Sequence, residues 1–317
     1  MGSEGENESE IIPCLKFLGD FKEGSEEWKE LSKKVREACE RHGCFILIND
    51  MVPKGLRDDM FLCMKELFDL PEETKRKHIS PKAYRSYNCD CPLVTLCQSF
   101  GIDDVPISDS AHAFTNLMWP RGNPSFCDTL NSTSSKMFEL TFMILKMILE
   151  GYGLPKQYTS DIEEMKSSSN FRLIKYIVPQ NDEVCEIGLL PHTDKSALTI
   201  LCENEVQGLE VLTKTNKWIP LKIPQEGFVV LVGDILKAWS NGRLDAATHR
   251  VMMKGEKERY SFALFSVPKE EVKIEVPPEL VEDNMYPLRY KPFNYGEYFK
   301  YFVSTLKENA LDVFAGV

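Results

Sequence analysis

Residues 259–266 read RYSFALFS, a short segment rich in aromatic and aliphatic side chains. Successive side chains of an extended chain point to opposite faces, and this segment suits a β-strand in that way. The same pattern appears in five earlier segments, at residues 171–177, 197–203, 208–213, 227–233 and 248–253. Turns such as Asn241-Gly242 and Lys254-Gly255 separate the segments. Many short strands at this spacing predict a sandwich or a jelly-roll barrel rather than a parallel sheet.

The first half of the chain predicts helices instead. Residues 26–43 place Trp28, Leu31, Val35 and Cys39 on one face, which is typical of an amphipathic helix against a core. Further helices are predicted at residues 53–68, 71–79 and 129–151, and strands at 44–50 and 114–119. One more helix is predicted near the C-terminus, at residues 294–309. The fold class is therefore α+β with a mostly β core.

This pattern divides the chain into four parts. Residues 1–10 are expected to form a disordered acidic tail, and residues 11–165 a helical region with supporting strands. Residues 166–270 form the strand-rich core, and residues 271–317 a C-terminal segment with the last helix.

The composition narrows the class of protein. The formal charge is −11, and no dense Lys/Arg cluster offers a surface for phosphates, which disfavours nucleic acid as a partner. The N-terminus MGSEGENESE lacks the features of a secretory signal, and no apolar run approaches the ~20 residues of a membrane span. Ten cysteines without a regular framework suggest reduced thiols. A cytoplasmic protein with no membrane partner is expected.

The motif His192-Thr193-Asp194 lies in the strand-rich part. Side chains at i and i+2 of an extended segment share a face, so the imidazole and the carboxylate can hold one ion. His249 follows 57 residues later (249 − 192), which leaves room for several strands to bring it back to the pair. Two histidines and one carboxylate are the ligand set of non-haem Fe(II) oxygenases. The H-x-D pattern alone also occurs by chance, as a surface histidine followed by a capping aspartate.

The next predicted strand offers a second binding feature. Arg259 and Ser261 share a face of that strand, ten residues beyond His249 (259 − 249). A planar guanidinium with paired donors, together with a hydroxyl, suits a carboxylate. On its own, Arg259 could equally be a surface residue of an edge strand.

Together these motifs resemble those of the plant soluble 2-oxoglutarate/Fe(II) dioxygenases, in which H-x-D, a distant His and R-x-S occur in this order. They read PHTD at 191–194, THRVM at 248–252 and RYS at 259–261. The resemblance extends over nearly the whole chain, through SPKAYRSY (80–87), NGRLDAATHR (241–250) and FSVP (265–268). Within that family, NFRLIKY, GLEVLTKTNKWI and LVGDILKAWSNGRL are most similar to the AOP-type dioxygenases, which include enzymes that convert glucosinolate side chains.

The resemblance implies a double-stranded β-helix, or jelly-roll barrel, flanked by N-terminal and C-terminal helices, with the C-terminal segment over the barrel mouth. It implies Fe(II) held by His192, Asp194 and His249, and 2-oxoglutarate as cosubstrate, with ascorbate supporting activity. Arg259 and Ser261 would bind the far carboxylate of 2-oxoglutarate. Tyr176 matches a family tyrosine that helps to hold the cosubstrate, while Ile174 stands where many members have Asn. Candidate residues of the substrate pocket are Tyr84, Tyr87, Phe114, Phe265 and Phe293.

The predicted activity is the oxidative decarboxylation of 2-oxoglutarate coupled to oxidation of a small plant specialised metabolite by O2, in a monomer. Hydroxylation, desaturation or a related C–H oxidation would all fit. An oxidase of an acidic hormone, an auxin or a gibberellin, is the alternative with the same mechanism. A cupin-type metal enzyme without an oxo-acid is more remote, because it would have no use for Arg259 and Ser261 as a carboxylate site. A ligand-binding protein with a decayed metal site is also more remote, because all three metal ligands are present.

Overall fold

The structure is a computed structural model that describes residues 11–19, 22–89, 96–178, 185–282 and 284–317. The predicted tail at residues 1–10 lies outside these ranges. The helices are α1 (Glu26–His42), α2 (Lys54–Phe68), α3 (Glu72–Lys75), α4 (Ser110–Met118), α5 (Pro124–Tyr152), α6 (Thr159–Met165), α7 (Asp234–Trp239), α8 (Tyr295–Thr305) and α9 (Ala310–Ala315).

The strands are concentrated after residue 167. They are β1 (Cys14–Phe17), β2 (Cys44–Asn49), β3 (Cys97–Asp103), β4 (Ser168–Tyr176), β5 (Glu186–His192), β6 (Leu198–Glu203), β7 (Leu209–Leu212), β8 (Trp218–Pro220), β9 (Gly227–Val232), β10 (His249–Met253), β11 (Arg259–Val267), β12 (Lys273–Ile274) and β13 (Phe293–Asn294).

Two sheets face each other across a narrow interior. The larger one has the order β1-β2-β9-β6-β11-β4-β3, and the smaller one β5-β10-β7-β8. A core cluster lies between them, with Leu201 and Val229 from the larger sheet and Val211, Val251 and Met253 from the smaller one. The strands β12 and β13 form a separate pair near the C-terminus.

The larger sheet is covered on both faces, which explains its continuous apolar strands. Along β11, Arg259, Ser261 and Ala263 share a face, and Phe262 and Leu264 point to the other, against the helices. Phe262 is fully buried there. The molecule therefore has three layers: helices, a seven-stranded sheet and a four-stranded sheet.

The longest helix, α5, anchors the helical layer against α1 and α2. Its first turn is capped by Asn123, whose side chain accepts a hydrogen bond from the backbone N–H of Phe126. Gly153 ends the helix in the left-handed conformation that glycine adopts without strain. The predicted central helix is therefore confirmed, with five more residues at its start. The predicted amphipathic face of α1 is also confirmed, since its four named residues are all buried.

Several predicted elements were wrong in detail. Residues 114–119, predicted as strand-like, belong to α4 and its end, because Ala111, Phe114, Thr115 and Met118 are buried at helical spacing. The helix predicted at 71–79 is only the single turn α3. Strands β3, β5 and β8 were not predicted. Their partners in the sheets, rather than their own apolar patterns, make them strands.

The N-terminal part is not separate from the strand-rich part, because β1, β2 and β3 pair within the larger sheet. The division at residues 165 and 270 stays a prediction. Within the described ranges, no helix combines the length and apolarity needed to cross a bilayer.

Candidate functional site

The two histidines meet where β5 and β10 pair. His192 is the last residue of β5, His249 is the first of β10, and they are opposite each other in the antiparallel register. Their ring centroids lie 4.3 Å apart. In each ring Nδ1 contacts a backbone carbonyl, that of Leu190 at 2.8 Å for His192 and that of Ala247 at 2.9 Å for His249. Each Nδ1 thus carries the proton and donates, and both Nε2 atoms keep their lone pairs for a ligand.

Asp194 completes the group from the turn that follows β5. Its Oδ1 lies 3.7 Å from Nε2 of His192 and 3.8 Å from Nε2 of His249. Its backbone carbonyl accepts a hydrogen bond from the N–H of Asp234 at the start of α7. Lys195 fixes the same turn, because its Nζ contacts Oγ1 of Thr193 and Oδ2 of Asp234, each at 2.7 Å. The position of the carboxylate is therefore set by a buried polar network.

The three side chains, called the triad below, fit a divalent metal. Their ligand atoms all lie within 4.8 Å of one another. Two ligands of one ion with bonds of about 2.1 Å can be up to about 4.2 Å apart, and both Asp194 distances fall within that range. Oδ2 of Asp194 is buried and has no hydrogen-bond partner in the described part of the chain. Such an orphaned carboxylate oxygen needs a cation or a donor to offset its burial.

The protonation state of His192 suits the same role. Desolvation inside the cavity, followed by the neighbouring His249, lowers the pKa of His192 from 6.5 to about 4, although Asp194 opposes the shift. His192 is therefore neutral at physiological pH, as a metal ligand must be.

On the opposite sheet, Arg259 is fully buried and already holds a carboxylate. Its Nε and Nη2 donate to Oε2 of Glu203 at 3.1 and 2.7 Å, and its Nη1 contacts Oγ of Ser261 at 3.4 Å. These contacts use three of the five N–H donors of the guanidinium, and the hydroxyl of Tyr176 lies close enough to accept from a fourth, which leaves at least one for a second acceptor. Burial raises the pKa of Glu203, against the influence of Arg259. Its Oε1 is buried without a hydrogen-bond partner among the residues described.

Tyr176 lies beside this pair. The guanidinium carbon of Arg259 is 4.8 Å from the ring centre of Tyr176, and the two residues are register partners on β11 and β4. Burial raises the pKa of the Tyr176 hydroxyl, which therefore stays protonated and can donate to an oxyanion. Ile174 is the register partner of Ser261 and is buried, so it contributes an apolar wall next to the hydroxyl.

The five candidate pocket residues do not lie together. Phe114 and Phe293 are buried in the main core, where Phe114 packs against His78, Phe100 and Phe126, and Phe293 packs against Tyr298 and Phe314. Tyr87 stacks on Phe100 and its hydroxyl contacts Glu72 and Gln98. Tyr84, which is exposed, and Phe265, which is half-buried, instead lie on either side of the guanidinium of Arg172.

Sequence reasoning missed Glu203 and the pair of Lys195 with Asp234. Glu203 ends an apolar segment and therefore looks like the first residue of a turn. The signal was present in the spacing, because Glu203 lies two residues from Leu201, a side chain of the core between the sheets, and so shares its face.

Comparison with known protein families gives two matches along the chain. Residues 168–268 match the 2OG-Fe(II) oxygenase superfamily. Residues 12–91 match the N-terminal region of non-haem dioxygenases in morphine synthesis.

Curated relatives extend the similarity to the full length. The protein named "Probable 2-oxoglutarate-dependent dioxygenase AOP1.2" from Arabidopsis thaliana is 39% identical over 96% of this chain and 95% of its own length. The protein named "2-oxoglutarate-dependent dioxygenase AOP3" from the same plant is 30% identical over 94% of this chain and 95% of its own length.

Solved structures are similar as well. The dioxygenase for auxin oxidation of rice superposes with a TM-score of 0.81 at 30% identity, covering 96% of this chain and all of that one. The corresponding Arabidopsis thaliana enzyme in complex with 2-oxoglutarate gives a TM-score of 0.78 at 26% identity, over 87% of this chain and all of that one.

Proposed function

Because this chain belongs to the 2OG-Fe(II) oxygenase superfamily, we propose that His192, Asp194 and His249 hold its iron and that Arg259 and Ser261 bind 2-oxoglutarate. The protein is a dioxygenase that uses Fe(II), 2-oxoglutarate and O2 to oxidise a small molecule. The observation that carries the residue assignment is the convergence of three ligand atoms within 4.8 Å. The guanidinium of Arg259 on the facing sheet supports it, because among the described residues Glu203, Ser261 and Tyr176 leave at least one of its N–H groups for a further acceptor.

Each side chain has a distinct task in this proposal. The triad offers two neutral nitrogens and one carboxylate and leaves the remaining coordination positions of the metal open. The spare N–H groups of Arg259 and the hydroxyl of Ser261 would receive the far carboxylate of 2-oxoglutarate, which orients the oxo-acid toward the triad. The protonated hydroxyl of Tyr176 would donate to the same molecule. Bound iron supplies the O2 chemistry, and the apolar core between the sheets keeps water away from it.

We infer that the organic substrate is a small plant specialised metabolite, which the similarity to AOP-type dioxygenases supports. An auxin or another acidic hormone is the second candidate. The structural likeness to two dioxygenases for auxin oxidation favours it.

The facing sheets also support a double-stranded β-helix, because β10 of the smaller sheet passes directly into β11 of the larger one. A monomeric, cytoplasmic protein that works without nucleic acid or a membrane stays a prediction. Size-exclusion chromatography with light scattering tests the monomer.

The test of the metal and cosubstrate assignment is an anaerobic titration. Fe(II) followed by 2-oxoglutarate is expected to give the visible charge-transfer absorption of an Fe(II)–oxo-acid chelate in the natural protein. His192→Ala and Asp194→Ala should abolish it, and Arg259→Ala should weaken 2-oxoglutarate binding strongly while iron binding persists. The matched control is His112→Ala, since His112 is exposed on α4. Full absorption in either triad variant would refute the ligand assignment, and succinate release with iron and ascorbate gives the parallel activity.

A further inference from the structure

Arg172 on β4 is a half-buried cation that has no acidic partner among the residues described. Its Nη2 donates to Oγ of Ser99 at 3.0 Å, while its Nε is buried and has no hydrogen-bond partner within the described ranges. Arg243 and Arg250, which are equally half-buried, contact the carboxylates of Glu282 and Glu210. For Arg172, no carboxylate of the residues described lies within 4.0 Å. A buried donor and an uncompensated charge are costly unless a further group meets them.

The guanidinium points into the space between the sheets. Arg172, Ile174 and Tyr176 alternate along β4 and therefore share a face, and Ile174 and Tyr176 belong to the core cluster between the two sheets. The register partners of Arg172 on the neighbouring strands are Ala263 and Gly101, both small. Arg172 is thus a large polar side chain between two small neighbours on the same face of the sheet.

The connection between β10 and β11 places Arg172 at the same level as the triad along the direction of the strands. The turn after Met253 joins β10 to β11, so equal steps back along β10 and forward along β11 reach the same level. Four residues back from Met253 is His249, and four residues forward from Arg259 is Ala263, the partner of Arg172. Four residues of strand span about 13 Å, so Arg172 is also well separated from Arg259.

A second count, along β5 and β4, gives the same result. A Cβ added to Gly188 on β5 would lie 2.9 Å from Cδ1 of Tyr176, so these two positions are in contact. Four residues from Gly188 is His192, and four residues from Tyr176 is Arg172. Facing sheets are about 10 Å apart, so Arg172 faces the triad across the interior.

A series of aromatic side chains connects Arg172 to the neighbourhood of the triad. The guanidinium carbon of Arg172 is 5.9 Å from the ring centre of Tyr84 and 6.0 Å from that of Phe265. Tyr84 contacts Phe299 at 6.4 Å between ring centres, and Phe299 contacts Phe302 on the same helix, also at 6.4 Å. Phe302 lies under Nζ of Lys195, the neighbour of Asp194, at 4.7 Å. The group opposite the triad is therefore one cation framed by aromatic rings.

We propose that Arg172 binds an anionic group of the organic substrate, so that the substrate is a small organic anion, a carboxylate or a sulfate ester, with an apolar body. This rests on the proposed function, because the position of Arg172 matters only if the triad holds the iron. A guanidinium with an unused Nε–H favours an oxyanion, and the rings of Tyr84, Phe265 and Phe299 suit the apolar part. Anchoring at one end would hold a carbon atom of the body toward the triad.

The test uses matched probes that differ only in charge. Indole-3-acetate and phenylacetate are paired with their neutral amides, and 2-phenylethyl sulfate with 2-phenylethanol. Binding is measured anaerobically as the change each probe makes in the charge-transfer absorption of the protein loaded with Fe(II) and 2-oxoglutarate. The natural protein should bind at least one anion about 10-fold or more tightly than its neutral partner. The carboxylate and sulfate pairs show which anion is preferred.

Variants of Arg172 test whether its guanidinium causes the preference for the anion. Arg172→Gln should remove the preference for the anion, and Arg172→Lys, which keeps the charge but not the fork, should retain part of it. Arg243→Gln is the matched control, since Arg243 is also half-buried against a tyrosine ring, and should behave as the natural protein. Equal binding of every charged and neutral partner by the natural protein, or an unchanged preference in Arg172→Gln, overturns the assignment of Arg172. Absence of the charge-transfer absorption in the natural protein overturns the proposed function and this assignment with it.

Discussion

Replacing Glu203 by Gln is expected to tighten the binding of 2-oxoglutarate. Glu203 places a carboxylate on Nε and Nη2 of Arg259, the guanidinium proposed to receive the oxo-acid. Gln keeps the shape and an acceptor oxygen for Arg259 but removes the negative charge. The incoming carboxylate then no longer shares the positive charge of Arg259 with a second anion.

The magnitude follows from the geometry of one guanidinium with two carboxylates. Two such anions lie about 5 Å apart, which corresponds to about 3 kcal/mol of repulsion at an effective dielectric constant of about 20. Burial raises the pKa of Glu203, which acts in the direction of a smaller repulsion. We expect the dissociation constant of 2-oxoglutarate to fall by about 10-fold, equivalent to about 1.4 kcal/mol.

The pH dependence of 2-oxoglutarate binding tests the same repulsion independently. Burial raises the pKa of Glu203 above 4.5, although Arg259 lowers it. Below that raised pKa the side chain is neutral and does not repel 2-oxoglutarate; above it the charge appears. The natural protein should therefore bind 2-oxoglutarate less tightly as the pH rises through the raised pKa, and the Gln variant should lose this dependence.

The assay is the anaerobic titration of the Fe(II)-loaded protein with 2-oxoglutarate at a series of pH values across the range in which the protein stays folded. The control is Glu205→Gln, which removes the same charge from an exposed position two residues away. In the absence of 2-oxoglutarate, Glu203→Gln leaves Arg259 without its anion and should unfold at lower temperature, with a larger stabilisation on adding the oxo-acid. Weaker binding of 2-oxoglutarate by the Gln variant would refute the reasoning and show that Glu203 acts mainly by orienting Arg259.

Three further predictions concern single positions. In the same titration, Ser261→Ala should raise the dissociation constant of 2-oxoglutarate about 5-fold, because about 1 kcal/mol of hydrogen bonding is lost. An unchanged dissociation constant would show that Ser261 does not bind the oxo-acid. Phe262→Ala should lower the free energy of unfolding by about 3–5 kcal/mol in urea, because the ring is fully buried between β11 and the helices. Gly43→Ala should lower it as well, since φ is +66° and a Cβ would lie 2.6 Å from the carbonyl oxygen of Asp245; an unchanged unfolding midpoint would contradict this.

Many of the candidate binding residues could be predicted from the spacing of residues within one segment. The i, i+2 period put His192 with Asp194 and Arg259 with Ser261, and both pairs required only that each segment be extended. The helices α1 and α5 were likewise predictable from apolar residues at helical spacing. These features depend on neighbours within a few residues, which a sequence displays directly.

Other local sequence patterns led to wrong or missing predictions of secondary structure. Residues 114–119 have aromatic and apolar side chains that suit a strand, yet they pack at helical spacing against α5 in α4. Strand β5 has few buried residues and was missed, although it carries His192, because its pairing with β10 makes it a strand. Tertiary pairing overrode local propensity in both cases.

By itself, then, the sequence determined which residue types could bind a metal and an oxo-acid, and where the long helices α1 and α5 and the apolar strands of the core would form. The tertiary structure alone decided that His192 meets His249 across two paired strands, that Glu203 occupies part of the Arg259 guanidinium, and that the buried Nε of Arg172 has no partner among the described residues. The physical reason is that these contacts join residues dozens of positions apart. Sheet register and the packing of two sheets set such distances, and neither can be predicted from the spacing of residues along one segment.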